Sequence, residues 1–102
     1  MKIELLYFSG CPSWKDGLKN LESALHLEDI PAVIEIIKIR DDEQAARLKF
    51  LGSPSFRVNG IDLWHEDRDL YSMSCRIYST PAGAKGFPTV DMLRGRLRNV
   101  IE

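Results

Sequence analysis

The sequence predicts a single α/β domain with elements in the order β-α-β-α-β-β-α, forming a mixed four-stranded sheet flanked by helices. Three observations predict it. Apolar and β-branched runs alternate with segments of helical periodicity. The first of these alternations is a β-α-β unit, whose two strands run parallel. Further along, Asn59-Gly60 is a strong hairpin signal that adds an antiparallel pair.

In order along the chain, Ile3 to Phe8 (I-E-L-L-Y-F) is mostly apolar and reads as a buried central strand. Ser9-Gly10 break it, and Pro12 suits the first turn of a helix. Trp14, Leu18, Leu21 and Leu25 then fall on one helical face, so the first helix spans about 13–26. Pro31 closes the connection to a β-branched second strand over Ala32 to Arg40. Asp41 and Asp42 are N-cap residues for a helix over about 43–51, and Gly52 marks its end. Ser55 to Val58 is the third strand. The fourth is placed at Ser74 to Tyr78, which makes 62–72 a loop insertion within the hairpin. Residues 80–88 read as loop. Thr89 caps a last helix whose apolar face is Val90, Leu93, Leu97 and either Val100 or Ile101.

The totals bound the function. The 102 residues hold one hydrophobic core, so 1–102 is a single domain. With 44% hydrophobic and 28% charged residues the chain is an ordinary globular one, not a disordered one. A formal net charge of -1, with acids and bases interleaved, gives no overall attraction to nucleic acid or an anionic membrane. No apolar run approaches the roughly 20 residues of a membrane span. Met1-Lys2-Ile3-Glu4 does not read as a signal peptide, so a cytoplasmic location is expected. Two cysteines have no metal-ligand spacing and are too few for a disulfide scaffold.

Cys11 is the leading candidate for chemistry. It falls between a strand end and a helix start, where unpaired N–H groups and the helix dipole favour a thiolate. The competing reading is a small buried hydrophobe. Cys75, in a strand, is either core or a resolving thiol for Cys11. Trp14 is either core or a wall of the thiol pocket. Trp64 and His65 are loop residues able to cover the site, and Glu66, Asp67, Arg68 and Asp69 are a solvated loop. No Gly-rich phosphate loop, HExxH or paired-carboxylate spacing is present, and no cofactor is expected.

The element order, Cys11-Pro12-Ser13-Trp14 at the start of helix one, and Ser53-Pro54 leading into Ser55-Phe56-Arg57-Val58 together resemble the thioredoxin fold. The resemblance implies that Cys11 is a nucleophile. It also implies that Ser53–Pro54 is a cis bond whose backbone positions a substrate, with Trp14 nearby. Trp14 stands where a Cys-X-X-Cys motif has its second cysteine, which leaves a monothiol site. Gly10-Cys11-Pro12-Ser13-Trp14, Phe50-Leu51-Gly52-Ser53-Pro54 and Cys75-Arg76-Ile77-Tyr78 also look like small bacterial thioredoxin-like proteins, some labelled as related to alkylmercury lyase. Cys11 and Cys75 match that enzyme's two thiols, but the carboxylate has no motif match, and lyase activity is not expected.

Three functions follow as expectations. The first is monothiol–disulfide exchange, in which Cys11 attacks a disulfide of a small thiol such as glutathione or of a protein, and an external thiol or Cys75 resolves the mixed disulfide. The second is soft-metal or organomercurial binding by Cys11 and Cys75. The third is a non-catalytic module that binds a partner or forms a homodimer.

Overall fold

Ile3, Leu5 and Leu6 are all but completely buried because the strand they form is paired on both sides. The computed structural model describes residues 1–101, the side chain of Ile101 excepted; Ile101 as an apolar position and Glu102 as the domain end lie outside that description. Its elements are β1 (Ile3–Tyr7), α1 (Trp14–Leu27), β2 (Ile34–Lys38), α2 (Asp42–Leu48) and β3 (Ser55–Val58), followed by β4 (Ile61–Asp62), β5 (Tyr78–Thr80), β6 (Gly83–Lys85) and α3 (Val90–Ile101). The main sheet has the order β2-β1-β3-β4, and β5-β6 form a separate two-stranded sheet. β1 runs parallel to β2, with Leu5 opposite Ile36, and antiparallel to β3, with Leu5 opposite Phe56.

Side chains alternate across β1 and divide the core in two. Ile3 and Leu5 pack with Leu21 and Leu25 of α1, Phe56 of β3, and Leu93 and Leu97 of α3. Leu6 faces the other way, toward Ile39, Ala45 and Phe50. Helices α1 and α3 thus cover one face and α2 the other. Among the described residues, no helix is long and apolar enough to cross a membrane.

Four expectations need correction. The fourth strand of the main sheet is Ile61–Asp62, not Ser74–Tyr78. Asn59 and Gly60 adopt φ of 52° and 84°, the left-handed pair a type I′ turn requires, and this returns the chain at once against β3. The irregular segment is therefore 63–77, which follows the hairpin instead of interrupting it, and the backbone of residues 74–76 pairs with the sheet end through one bridge, Ser53 to Cys75. Second, the expected loop over 80–88 contains β6. Third, α2 ends earlier, at Leu48, because Lys49 takes the left-handed cap position (φ 53°); Gly52 stops no helix. Asp41 does cap α2, accepting from the Gln44 N–H at 2.7 Å. Fourth, α1 has Ser13 as its N-cap, so Cys11, expected at the start of helix one, lies two residues ahead of the cap in a turn.

Glu28, just past α1, clasps α3 by accepting from Arg94 Nε at 2.6 Å and Arg98 Nε at 2.7 Å. These two hydrogen bonds pull its carboxyl pKa down from 4.5 to about 2. A carboxylate whose folded pKa lies below its unfolded one contributes stability above the unfolded value, and loses it as pH falls through the folded one. Glu28→Gln is therefore expected to lower stability by a constant amount above about pH 5. The gap from wild type should close between 4.5 and 2, as read by denaturant titration at stepped pH.

Candidate functional site: two thiols at Ser53

β1 ends at Tyr7, and the chain turns back through a hydrogen bond from the Cys11 N–H to the Phe8 carbonyl at 3.2 Å. This turn directs Cys11 into the protein, where the residue is 1% exposed. Its S–H donates to the Ser53 carbonyl at 3.4 Å. Ser53 is fully buried and gathers three segments. Its hydroxyl accepts from the Phe8 N–H at 3.3 Å, its N–H donates to the Ser74 carbonyl at 2.8 Å, and its carbonyl also accepts from the Arg76 N–H at 3.0 Å. The Ser53–Pro54 peptide bond is cis.

The last two of these bonds hold 74–76 alongside Ser53 and bring Cys75 to Cys11, although 64 positions separate them in sequence. The Cys11 thiol, whose own proton is directed at Ser53, is thereby a neighbour of the Cys75 thiol. Interaction with the neighbouring Cys11 thiol, with a smaller contribution from desolvation, pushes the Cys75 pKa up to about 11. The two sulfurs differ in access: Cys11 is buried and Cys75 is exposed, and no disulfide joins them.

The 74–78 segment is anchored by what it buries. Arg76 and Asp62 are each only 7% exposed, and Arg76 Nη1 donates to both carboxylate oxygens at 3.0 and 2.9 Å. Arg76 also donates to the Trp64 carbonyl and, at 3.3 Å, to the Ser55 hydroxyl. Tyr78 donates its hydroxyl to the Pro54 carbonyl at 2.5 Å, and burial raises its phenol pKa, which keeps that proton in place. The backbone groups of Ser53 and Pro54 are thus engaged by the chain itself.

Cys75 opens into a cleft of about 600 Å³ lined by Trp64, His65, Arg76, Tyr78 and Arg96, among others. Trp64 and His65 therefore reach the site. Trp14 is not among the residues lining this cleft; it stacks on Tyr7 with ring centroids 4.0 Å apart. Among the described residues no group of three or more His, Cys, Asp or Glu could hold a metal ion.

Sequence reasoning missed Asp62, Arg76, Tyr78 and Arg96 as site residues. The alternation of Arg76 and Tyr78 around Ile77 was a usable signal: it puts the arginine and the tyrosine on one face, and that face is the buried one, while Ile77 is 67% exposed. Arg96 carried no signal beyond the charge of its helix. Compared with known proteins, the chain matches no protein-family model, no curated protein and no solved structure.

Proposed function

We propose that this chain is a thioredoxin-like dithiol protein in which Cys75 exchanges with disulfides and Cys11 resolves the product. The observation that carries the reading is the Ser53 junction, which holds a buried thiol, through the hydrogen bond from Cys11 to the Ser53 carbonyl, beside an exposed one, through the bridge from Ser53 to Cys75. The sheet order β2-β1-β3-β4, with Cys11 at the exit of β1 and Pro54 at the entry to β3, supports the likeness to the thioredoxin fold. Exposure supports the assignment of roles, because an attacking sulfur must be reached and Cys11 is sealed while Cys75 faces solvent. Cys75 gives its proton to solvent and attacks one sulfur of the disulfide, expelling a thiolate. Cys11 then loses its proton, attacks the Cys75 sulfur and expels the second thiolate. The protein is oxidised by two electrons, and the substrate leaves as two thiols once each takes up a proton. Small thiols and protein disulfides are the partners, in a reducing cytoplasm that keeps both cysteines free.

Treatment of the reduced protein with the neutral disulfide of 2-mercaptoethanol tests this. Wild type is expected to end with a Cys11–Cys75 disulfide, Cys11→Ser with a lasting adduct on Cys75. Alkylation of Cys75 should rise about tenfold per pH unit toward pH 11, because only the thiolate reacts. Its inflection should move down in Cys11→Ala, which removes the neighbouring thiol that holds it up. Rapid adduct formation on Cys11 in Cys75→Ser would reverse the roles. No exchange short of unfolding would leave a binding or dimerisation module. The same pair of sulfurs favours a second reading, capture of a soft two-coordinate ion such as Hg(II). Binding that persists in Cys75→Ser would reject it.

A further inference from the structure

The charges around the Cys75 cleft are unequally compensated. Arg68 pairs with Glu66, Arg76 with Asp62, and His65 lies 3.3 Å from Asp67. Arg96 is different. It lies across the ring of Trp64 at 5.1 Å and donates one hydrogen bond, to the Leu63 carbonyl at 3.3 Å. No carboxylate among the described residues pairs with it. Arg57 is also without a carboxylate partner, but it donates to the Leu48 and Lys49 carbonyls and does not line this cleft. The Trp64 ring supports the Arg96 guanidinium from one side, and a guanidinium's remaining N–H groups form a fork that matches a carboxylate.

From this arrangement we infer that the cleft selects small disulfides bearing carboxylates, with Arg96 as the specificity-determining residue and Cys75 as the sulfur they meet. The inference rests on the exchange reading above and adds its substrate class. A cleft of about 600 Å³ is the size of a small-molecule site. A carboxylate near Arg96 places the rest of a short disulfide over Cys75, which lines the same cleft. The exchange is the one already written: the carboxylated disulfide takes up two electrons and two protons and leaves as two thiols, and the protein becomes the Cys11–Cys75 disulfide. Neither carboxylate changes its bonding.

The test compares three disulfides of similar size: dianionic 3,3′-dithiodipropionate, neutral 2-hydroxyethyl disulfide and dicationic cystamine. Rates of oxidation of the reduced protein are divided by those of free dithiothreitol, which removes intrinsic reactivity. One unpaired charge at a partly solvated site should favour the dianion over the neutral compound by roughly three- to tenfold. Cystamine should be disfavoured by a similar factor, and added salt should shrink both differences. Arg96→Gln is expected to abolish the order and Arg96→Lys to retain much of it. Arg47→Gln, the same charge change on α2 outside the cleft, should leave it intact. Equal normalised rates in wild type, or an order that survives in Arg96→Gln, would overturn the inference while leaving exchange standing. Failure to oxidise with any of the three would remove the exchange reading itself.

Discussion

Asp62→Ala is expected to destabilise the protein by about 3–5 kcal/mol, the range for breaking a buried ion pair and leaving one charge unmatched. The side chains of Arg76 and Asp62 are 7% and 4% exposed, so the orphaned guanidinium cannot simply turn to water in place. Two of its remaining acceptors, the Trp64 carbonyl and the Ser55 hydroxyl, carry no net charge. Denaturant unfolding gives the number. The double variant Asp62→Ala/Arg76→Met should recover much of the loss, because it removes the charge along with its partner. A loss below about 1 kcal/mol would mean that Arg76 swings out to solvent, and with it the segment that carries Cys75. The effect on the thiols follows the same path: Arg76 is next to Cys75, and releasing it slows formation of the Cys11–Cys75 disulfide.

Gly52→Ala is expected to act on the same contact from the other side. Gly52 has φ of 118°, a conformation costing a non-glycine residue about 1–3 kcal/mol. A Cβ there would also lie 2.8 Å from Arg76 Cβ and 3.2 Å from its Cα and N, and such overpacking adds about 1–3 kcal/mol. A total loss of about 2–6 kcal/mol, together with slower pairing of the two thiols, is the expected result. Gly83→Ala separates the two contributions, since Gly83 also has positive φ (104°) but its Cβ would meet nothing within 4 Å. It should lose stability from backbone strain alone and leave thiol chemistry unchanged. Equal effects at the two glycines would show that 74–76 does not press on Gly52.

The parts of the fold set by local pattern were legible in the sequence. β1 is a run of apolar residues, α1 repeats Leu at helical spacing, and the Asn59-Gly60 turn has only one economical geometry. Cys11 and Pro54 could be picked out because each sits at a boundary between elements. What could not be read was where the chain goes after the hairpin. The position of 74–78 is decided by a buried pair, Arg76 with Asp62, and by one bridge to Ser53, all between residues distant in sequence. Glu66 to Asp69 read as a solvated loop, and they are exposed, but Asp62, placed in the same insertion, is buried. The meeting of Cys11 with Cys75 depends on that misread anchor, and so does the cleft containing Arg96.

Ser53 draws together the exit of β1, the Cys11 turn and the 74–76 segment through one residue's hydroxyl, N–H and carbonyl. The segment it holds is irregular, with Cys75 exposed and Arg76 buried, and is joined to the sheet end by one backbone bridge and by the Arg76–Asp62 pair. Cooperative units of this kind open at lower free energy than the strands beneath them. Detachment of 74–76 would bare the Cys11 sulfur and free the Ser53 and Arg76 amides in one event, with the four-stranded sheet still intact. Amide exchange at Ser53 and Arg76 and the chemical reactivity of Cys11 then report a single local equilibrium, so the buried thiol's accessibility is a population, set by how tightly one short segment stays latched.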